Sequence, residues 1–246
     1  MANNSPSHNM PLGWDHLFKS GLFPPRYKTT AAPNQSVVKW ADSLPSNAFV
    51  LDLGCGVGRH TVYLGQRGFR MAGTDISPDG IEQTRSACIE HNLSFNGCVA
   101  DMTQLPWEDM MFDAILSTST ICHHRLANIK KTLSEAYRVL KPGGLLLVDF
   151  LHKDTHAYLE VVQQTREGKL TEIEPDTFAD ISPKPDILDD AFLPHHYCDK
   201  TQVHELLQEF EIINIWADLS EATAASGLPR RGYWIASAKK LGSSSV

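Results

Sequence analysis

Beyond an opening stretch, apolar and polar positions alternate between two periods. Residues 1–32 mix Asn, Ser, Pro and Gly with the isolated aromatics Trp14, Phe18, Phe23 and Tyr27, which predicts an irregular arm able to cover a pocket. From residue 34, NQSVVKWADSL has helical spacing. It is followed by the apolar run FVLDL at 49–53, which stops abruptly at glycines and reads as a buried strand. The pattern then predicts a helix over 58–66, a strand over 69–73, a helix opened by Ser77-Pro78-Asp79 and a strand over 94–99. A strand over 112–117, an amphipathic helix over 129–140, a Lys-Pro-Gly-Gly stop at 141–144 and a strand over 145–150 complete the alternation.

Strands alternating with helices imply right-handed crossovers and an α/β, doubly wound sheet that binds ligands beyond the carboxyl ends of its strands. Residues 151–198 break the rhythm with charge, Pro175, Pro183, Pro185 and Pro194, and are too long for an ordinary connection. They are expected to be an inserted substrate cap. Order returns with a helix over 200–208 and strands over 211–216 and 232–238, with no internal repeat, so one domain over 1–246 is expected.

The size and composition fit that picture and narrow the function. A chain of 246 residues with 42% hydrophobic content can bury one substantial core. The formal net charge of −7 disfavours a nucleic-acid substrate, because the overall field repels phosphate. Cys55, Cys88, Cys98, Cys122 and Cys198 are scattered with no C-x-x-C pair, which points to a reducing compartment rather than a disulfide framework. No apolar run approaches the roughly 20 residues that span a bilayer. The first residues lack the basic and apolar regions of a leader, so no membrane contact and a cytoplasmic location are expected.

The candidate chemistry begins in VLDLGCGVGRHT. Here a strand ends on Asp52, and Gly54, Gly56 and Gly58 form a turn that lets a ligand approach the backbone at a helix N-terminus. Asp75 closes the next strand, where a carboxylate can accept from both hydroxyls of a ribose. A nicotinamide enzyme would share both features. The glycines here are spaced G-x-G-x-G after an acid instead of G-x-G-x-x-G, which argues against that cofactor.

The strand-end acid, the three glycines and Asp75, with Ala100-Asp101-Met102, MFDAILSTSTICHH and LKPGGLLLVDF in order downstream, resemble the class I methyltransferases that use S-adenosyl-L-methionine (SAM). The resemblance runs from about residue 37 to 240. GRHTVYLGQRGF, TDISPDGI and ICHH are most similar to the small-molecule branch grouped with tellurite-resistance and thiopurine-type methyltransferases. It implies a Rossmann-like, seven-stranded sheet of order 3-2-1-4-5-7-6 with the seventh strand antiparallel. It also implies that Asp75 holds the ribose, Ile76 and Met102 sandwich the adenine, and Asp101 accepts from the adenine amino group. Gly54 and Gly56 would face the methionine part, and Ser117 and Thr118 would border the sulfonium. Asp52, Gly58 and Cys55 complete the cofactor turn, Cys55 by its small size and without nucleophilic chemistry. The Asp/Asn-Pro-Pro-aromatic element of nucleic-acid amino methyltransferases does not occur after the fourth strand.

By this resemblance the expected function is methyl transfer from SAM to an S, N or O atom of a small molecule. A SAM-consuming cyclase or lyase on the same fold, or a non-catalytic SAM-binding module, are the alternatives. His123 and His124, just beyond the fourth strand, are candidate general bases; the competing reading has them cap a helix or pack on the sheet. His195 and His196, with Tyr197, are candidates for substrate contact at the end of the cap. An extended His-His pair turns one ring inward, so two pairs and a carboxylate such as Glu174 are a poor metal set, and no metal is expected. Arg59 and His60 either touch substrate or the SAM carboxylate or form a solvated first turn. Trp14, Tyr27 and Lys28 either close over the cofactor or only anchor the arm.

Overall fold

The computed structural model describes residues 10–21, 28–181, 193–223 and 226–242, with side chains in the first helix from Trp14 onward. Phe23, Tyr27, Pro183 and Pro185 lie outside the described residues. The sheet is built from β1 (Phe49–Leu53), β2 (Arg70–Asp75), β3 (Phe95–Val99), β4 (Phe112–Ser117), β5 (Leu140–His152), β9 (Phe210–Leu219) and β10 (Gly232–Lys240). β3, β2, β1, β4 and β5 are parallel neighbours in that order, and β10 pairs antiparallel with both β5 and β9. Counting these seven strands in chain order gives the expected 3-2-1-4-5-7-6 with the seventh antiparallel.

Alternation along each strand splits the core into two layers. Val50 faces α2 (Gln35–Ala41) and α3 (Arg59–Gln66) with Val37, Trp40 and Leu64. Leu51 and Leu53 face α5 (Leu126–Val139) and α7 (Lys200–Leu206), among Ile129, Leu133, Val203 and Leu206. Each such fully buried aliphatic side chain contributes about 1.5–3 kcal/mol, enough for packing to override weak local propensity. α4 (Pro78–Glu90) starts as expected, with Ser77 Oγ accepting from Gly80 N at 3.1 Å and Pro78 in the first turn.

Four expectations change. Part of the arm is regular: α1 (Met10–Ser20) is a helix, docked through Leu17 and Phe18 onto Val57. α5 starts three residues earlier than its pattern suggests, because Leu126 N donates to Glu174 Oε1 at 2.5 Å, a cap supplied 48 residues downstream. The strand expected from residue 145 begins at Leu140, directly where α5 stops, and absorbs the glycines in a register shift opposite Phe112 and Ala114. The second strand extends two residues beyond the expected 69–73 span, to the Asp75 expected to close it.

The insertion has structure of its own: α6 (His156–Arg166), then β6 (Thr171–Glu174), β7 (Thr177–Ala179) and β8 (His195–Cys198) as an antiparallel sheet. β8 also runs parallel to the end of β5, with Leu151 opposite Tyr197 and His152 opposite Cys198. β10 occupies one side of β5 as far as Leu151, and β4 the other side only to Val148. β8 therefore takes over the β4 side where β4 ends, which carries the insertion to the carboxyl edge of the sheet. Among the described residues no helix is long and apolar enough to cross a membrane.

Candidate functional site

Gly54, Gly56 and Gly58 all adopt left-handed backbone, with φ of 77°, 53° and 83°. At Gly54 a Cβ would meet Thr120 Cγ2 at 2.1 Å, and at Gly58 it would meet Thr84 Oγ1 at 2.9 Å, so both positions also need glycine for space. Gly54 N donates to Thr74 O at 2.7 Å, closing the turn against the end of β2. There Asp75 is fixed by two backbone amides: Gly56 N donates to Oδ2 at 2.8 Å and Ser77 N to Oδ1 at 2.9 Å. Burial nonetheless pushes the Asp75 carboxyl above its ordinary value.

The other expected cofactor residues lie on the same edge. Ala100 N donates to Asp75 O at 3.0 Å, bringing Asp101 and Met102 beside Asp75 and Ile76. Asp101 is exposed, with Oδ1 accepting from Thr103 N at 2.8 Å, while Ile76 and Met102 are half-buried. Ser117 Oγ is buried with no hydrogen-bond partner among the described residues, the kind of hydroxyl a polar ligand completes. Cys55 is buried, and its thiol is held well above the usual range by burial and then by Asp75 and Asp52, which fits packing and not nucleophilic attack.

Asp52 and His60 serve the turn from behind. Thr61 Oγ1 donates to Asp52 Oδ2 at 2.6 Å, tying β1 to α3, and burial lifts this carboxyl to about 6. His60 Nε2 accepts from Asn34 N at 3.3 Å, so the neutral ring carries its proton on Nδ1 and donates to Thr118 Oγ1 at 3.1 Å. Burial lowers His60 to about 3, which keeps it neutral. The first turn at this residue is thus not solvated: His60 is a buried strut with both nitrogens engaged.

The two histidine pairs meet through one member of each. His123 ends a short 3-10 turn after β4 and is buried, its ring edge-on to Trp14 at 5.1 Å and to His195 at 4.6 Å between centroids. His195 donates from Nδ1 to Leu193 O at 3.0 Å, which leaves Nε2 as the basic nitrogen of the neutral ring. His124, the other candidate base, and His196, the other candidate for substrate contact, are not part of this ring contact. His124 is buried, with Nδ1 unbonded among the described residues, and burial lowers its pKa against the opposing pull of Asp101. His196 bonds Thr177 Oγ1 at 2.7 Å through Nδ1 and Gln202 Oε1 at 3.3 Å through Nε2, and so fastens the insertion to α7. Glu174 is committed to the α5 cap, and among the described residues no group of three His, Cys, Asp or Glu side chains is placed to hold a metal ion.

α1 lies across the turn. Phe18 reaches to 3.4 Å from where a Gly56 Cβ would sit and stacks on Trp14 at 5.7 Å, so Gly56, Phe18, Trp14, His123 and His195 form one continuous wall. Asp15 Oδ1 anchors the helix by accepting from Asp79 N at 3.1 Å and Ser77 Oγ at 3.0 Å. Lys28 is exposed.

One acid escaped the sequence reading. Asp149, on β5, is only 3% exposed; Ser119 N donates to its Oδ1 at 2.7 Å, and burial raises it to about 7. The signal was a lone acid near the end of LLLVDF, the same pattern that drew attention to Asp52 in VLDL.

Residues 51–148 match the family model described as a methyltransferase domain. The chain is 39% identical over 105 residues to a demethylmenaquinone methyltransferase of Tropheryma whipplei, a match covering 42% of each protein, so it spans less than half the length of that curated relative. Two solved structures show the same fold. A SAM-dependent methyltransferase of Methanosarcina mazei superposes with a TM-score of 0.68 at 22% identity, over 83% of this chain and 97% of that one. The 1,6-didemethyltoxoflavin-N1-methyltransferase of Burkholderia thailandensis, solved with its substrate and S-adenosylhomocysteine, superposes with a TM-score of 0.61 at 17% identity, over 85% and 77%.

Proposed function

We propose, from the match of residues 51–148 to the methyltransferase domain model, that the protein transfers a methyl group from SAM to an S, N or O atom of a small molecule. The observation that carries this reading is Asp75: a buried carboxylate held by two backbone amides beside three left-handed glycines. Its oxygens keep further lone pairs for a diol, and Ile76, Asp101, Met102 and Ser117 stand on the same edge.

SAM supplies a methyl group already activated on a sulfonium, so the protein needs chiefly to align an acceptor lone pair and, for a protonated acceptor, to take its proton. His195 is the base in this reading. Its Nδ1–H is anchored on Leu193 O, so Nε2 receives the proton, and His123 packs against the ring to fix its orientation. Trp14 and the insertion wall the acceptor side. The net charge of −7 favours a small acceptor over nucleic acid.

Calorimetric titration with SAM, S-adenosylhomocysteine and NAD tests the cofactor. Binding of the first two alone is expected, and NAD binding, or no binding at all, sinks the reading. Asp75→Ala should weaken SAM binding by about 1.5–3 kcal/mol, the worth of charge-assisted hydrogen bonds. Product analysis against thiols, amines, phenols and carboxylates then identifies the acceptor. Release of methylthioadenosine would reassign the site to cyclase or lyase chemistry, and tight binding without turnover on any acceptor would favour a binding module.

A further inference from the structure

The loop that follows β4 is held in a conformation its sequence does not favour. Ser119 has φ of +53°, left-handed backbone that a residue with a Cβ adopts only at a cost. Its neighbour Thr120 is seated on the cofactor turn: its methyl fills the space a Gly54 Cβ would need, and its Oγ1, which donates to Thr118 O at 2.8 Å, lies 3.4 Å from Gly54 O. Thr118, on the other side, is held by His60. Asp149 supplies the contact at the strained residue itself, the 2.7 Å bond from Ser119 N.

We propose that Asp149 is a positioning residue: from β5 it holds Ser119 in left-handed backbone, keeps Thr120 seated on Gly54, and so sets the shape of the turn that receives the cofactor. The proposal rests on the reading of this cleft as a SAM site. A buried carboxylate is costly to retain, and its companions fit a local device. Arg59, at the start of α3, favours its ionised form, and Asp218 on β9 opposes it. Ile235 of β10, its partner across the sheet, adds no charge. The ionised carboxylate is the stronger acceptor, so protonation loosens Ser119. Because burial sets that change near pH 7, cofactor affinity should fall as the pH is lowered from 8 to 6.

The test combines calorimetric titration of S-adenosylhomocysteine at pH 6 and pH 8 with amide NMR of the same proteins. The expected result is that D149A loses about tenfold in affinity at pH 8, and that D149A combined with S119G regains most of it, since glycine holds φ of +53° unaided. D149N, which keeps the shape, should bind with the same affinity at both pH values. The amide resonances of Ser119, Thr120 and Gly54 should titrate together in the wild type and stay still in D149N. Wild-type affinity in D149A, or no rescue by S119G, overturns the proposal. If the wild type fails to bind S-adenosylhomocysteine at all, the cofactor reading fails. The coupling is then decided by the resonances alone: it stands if Gly54 follows the Asp149 titration and falls if it does not.

Discussion

Gly54 and Gly56 separate two reasons for a glycine. Both are left-handed, at a cost of roughly 1–2 kcal/mol for a residue with a Cβ. Only at Gly54 does the added atom also collide, 2.1 Å from Thr120 Cγ2, whereas at Gly56 it meets Phe18 at an ordinary 3.4 Å. Gly54→Ala should therefore lower the denaturation midpoint further than Gly56→Ala and displace Thr120; equal losses in the two variants would mean that the loop after β4 gives way freely. His195 carries the second prediction at this scale. A general base contributes about 10²–10⁴-fold, so His195→Ala should lower turnover of an N–H, O–H or S–H acceptor by about a hundredfold with SAM affinity unchanged. His196→Ala should instead cost stability, because that ring bridges Thr177 and Gln202. Turnover within twofold of wild type in His195→Ala would place the base elsewhere.

At the scale of elements, α1 shows both what the sequence discloses and where it stops. The βαβ core was readable where its signals are local: β1 runs into glycines, β2 ends on Asp75, and α4 carries its own start in Ser77 and Pro78. Helix α1 was not, since Pro11 and Gly13 lie in its first turn and its stability comes from docking Leu17 and Phe18 on Val57, a contact 40 residues away. The meeting of His123 with His195 was equally hidden, because it depends on β8 pairing with β5 just past the end of β4. The start of α5 depends in the same way on Glu174, distant in sequence. Since Asp15 both caps α4 and fastens α1, Asp15→Ala should remove about 1 kcal/mol, the usual worth of a cap. Hydrogen exchange should then speed up in 10–20 and in the first turn of α4 while β1 and β4 stay protected. Unchanged exchange in α1 would show that its apolar contacts suffice.

For the molecule as a whole, the buried ionisable groups set opposing dependences on pH. Asp52 and Asp149 have folded values of about 6 and about 7, above the ordinary carboxylate value of 3.8, so the folded state holds their protons more tightly than the unfolded chain. Their contribution to stability is fully present below pH 3.8 and is lost as the pH rises through 6 and 7. His60 works the other way: lowered from 6.5 to about 3, it contributes stability that is present above pH 6.5 and lost as the pH falls toward 3. Between pH 8 and pH 5 the two effects therefore oppose each other, His60 contributing a loss below pH 6.5 and the carboxylates a gain, so Asp149 is isolated by comparing variants in which His60 is unchanged. Replacing Asp149 by Asn removes one of the carboxylates without changing its shape. D149N should thus be more stable than the wild type at pH 8, by about 1 kcal/mol or more once the unmet hydrogen bonds of the amide are counted, and should lose that advantage by pH 5. Urea midpoints of the two proteins at both pH values measure this directly. A variant less stable than the wild type at pH 8 would mean that Arg59 and Ser119 already compensate the buried charge in full. A variant more stable there, yet with weaker affinity for S-adenosylhomocysteine, would show that the acid is kept at the expense of the fold because the cofactor turn requires it.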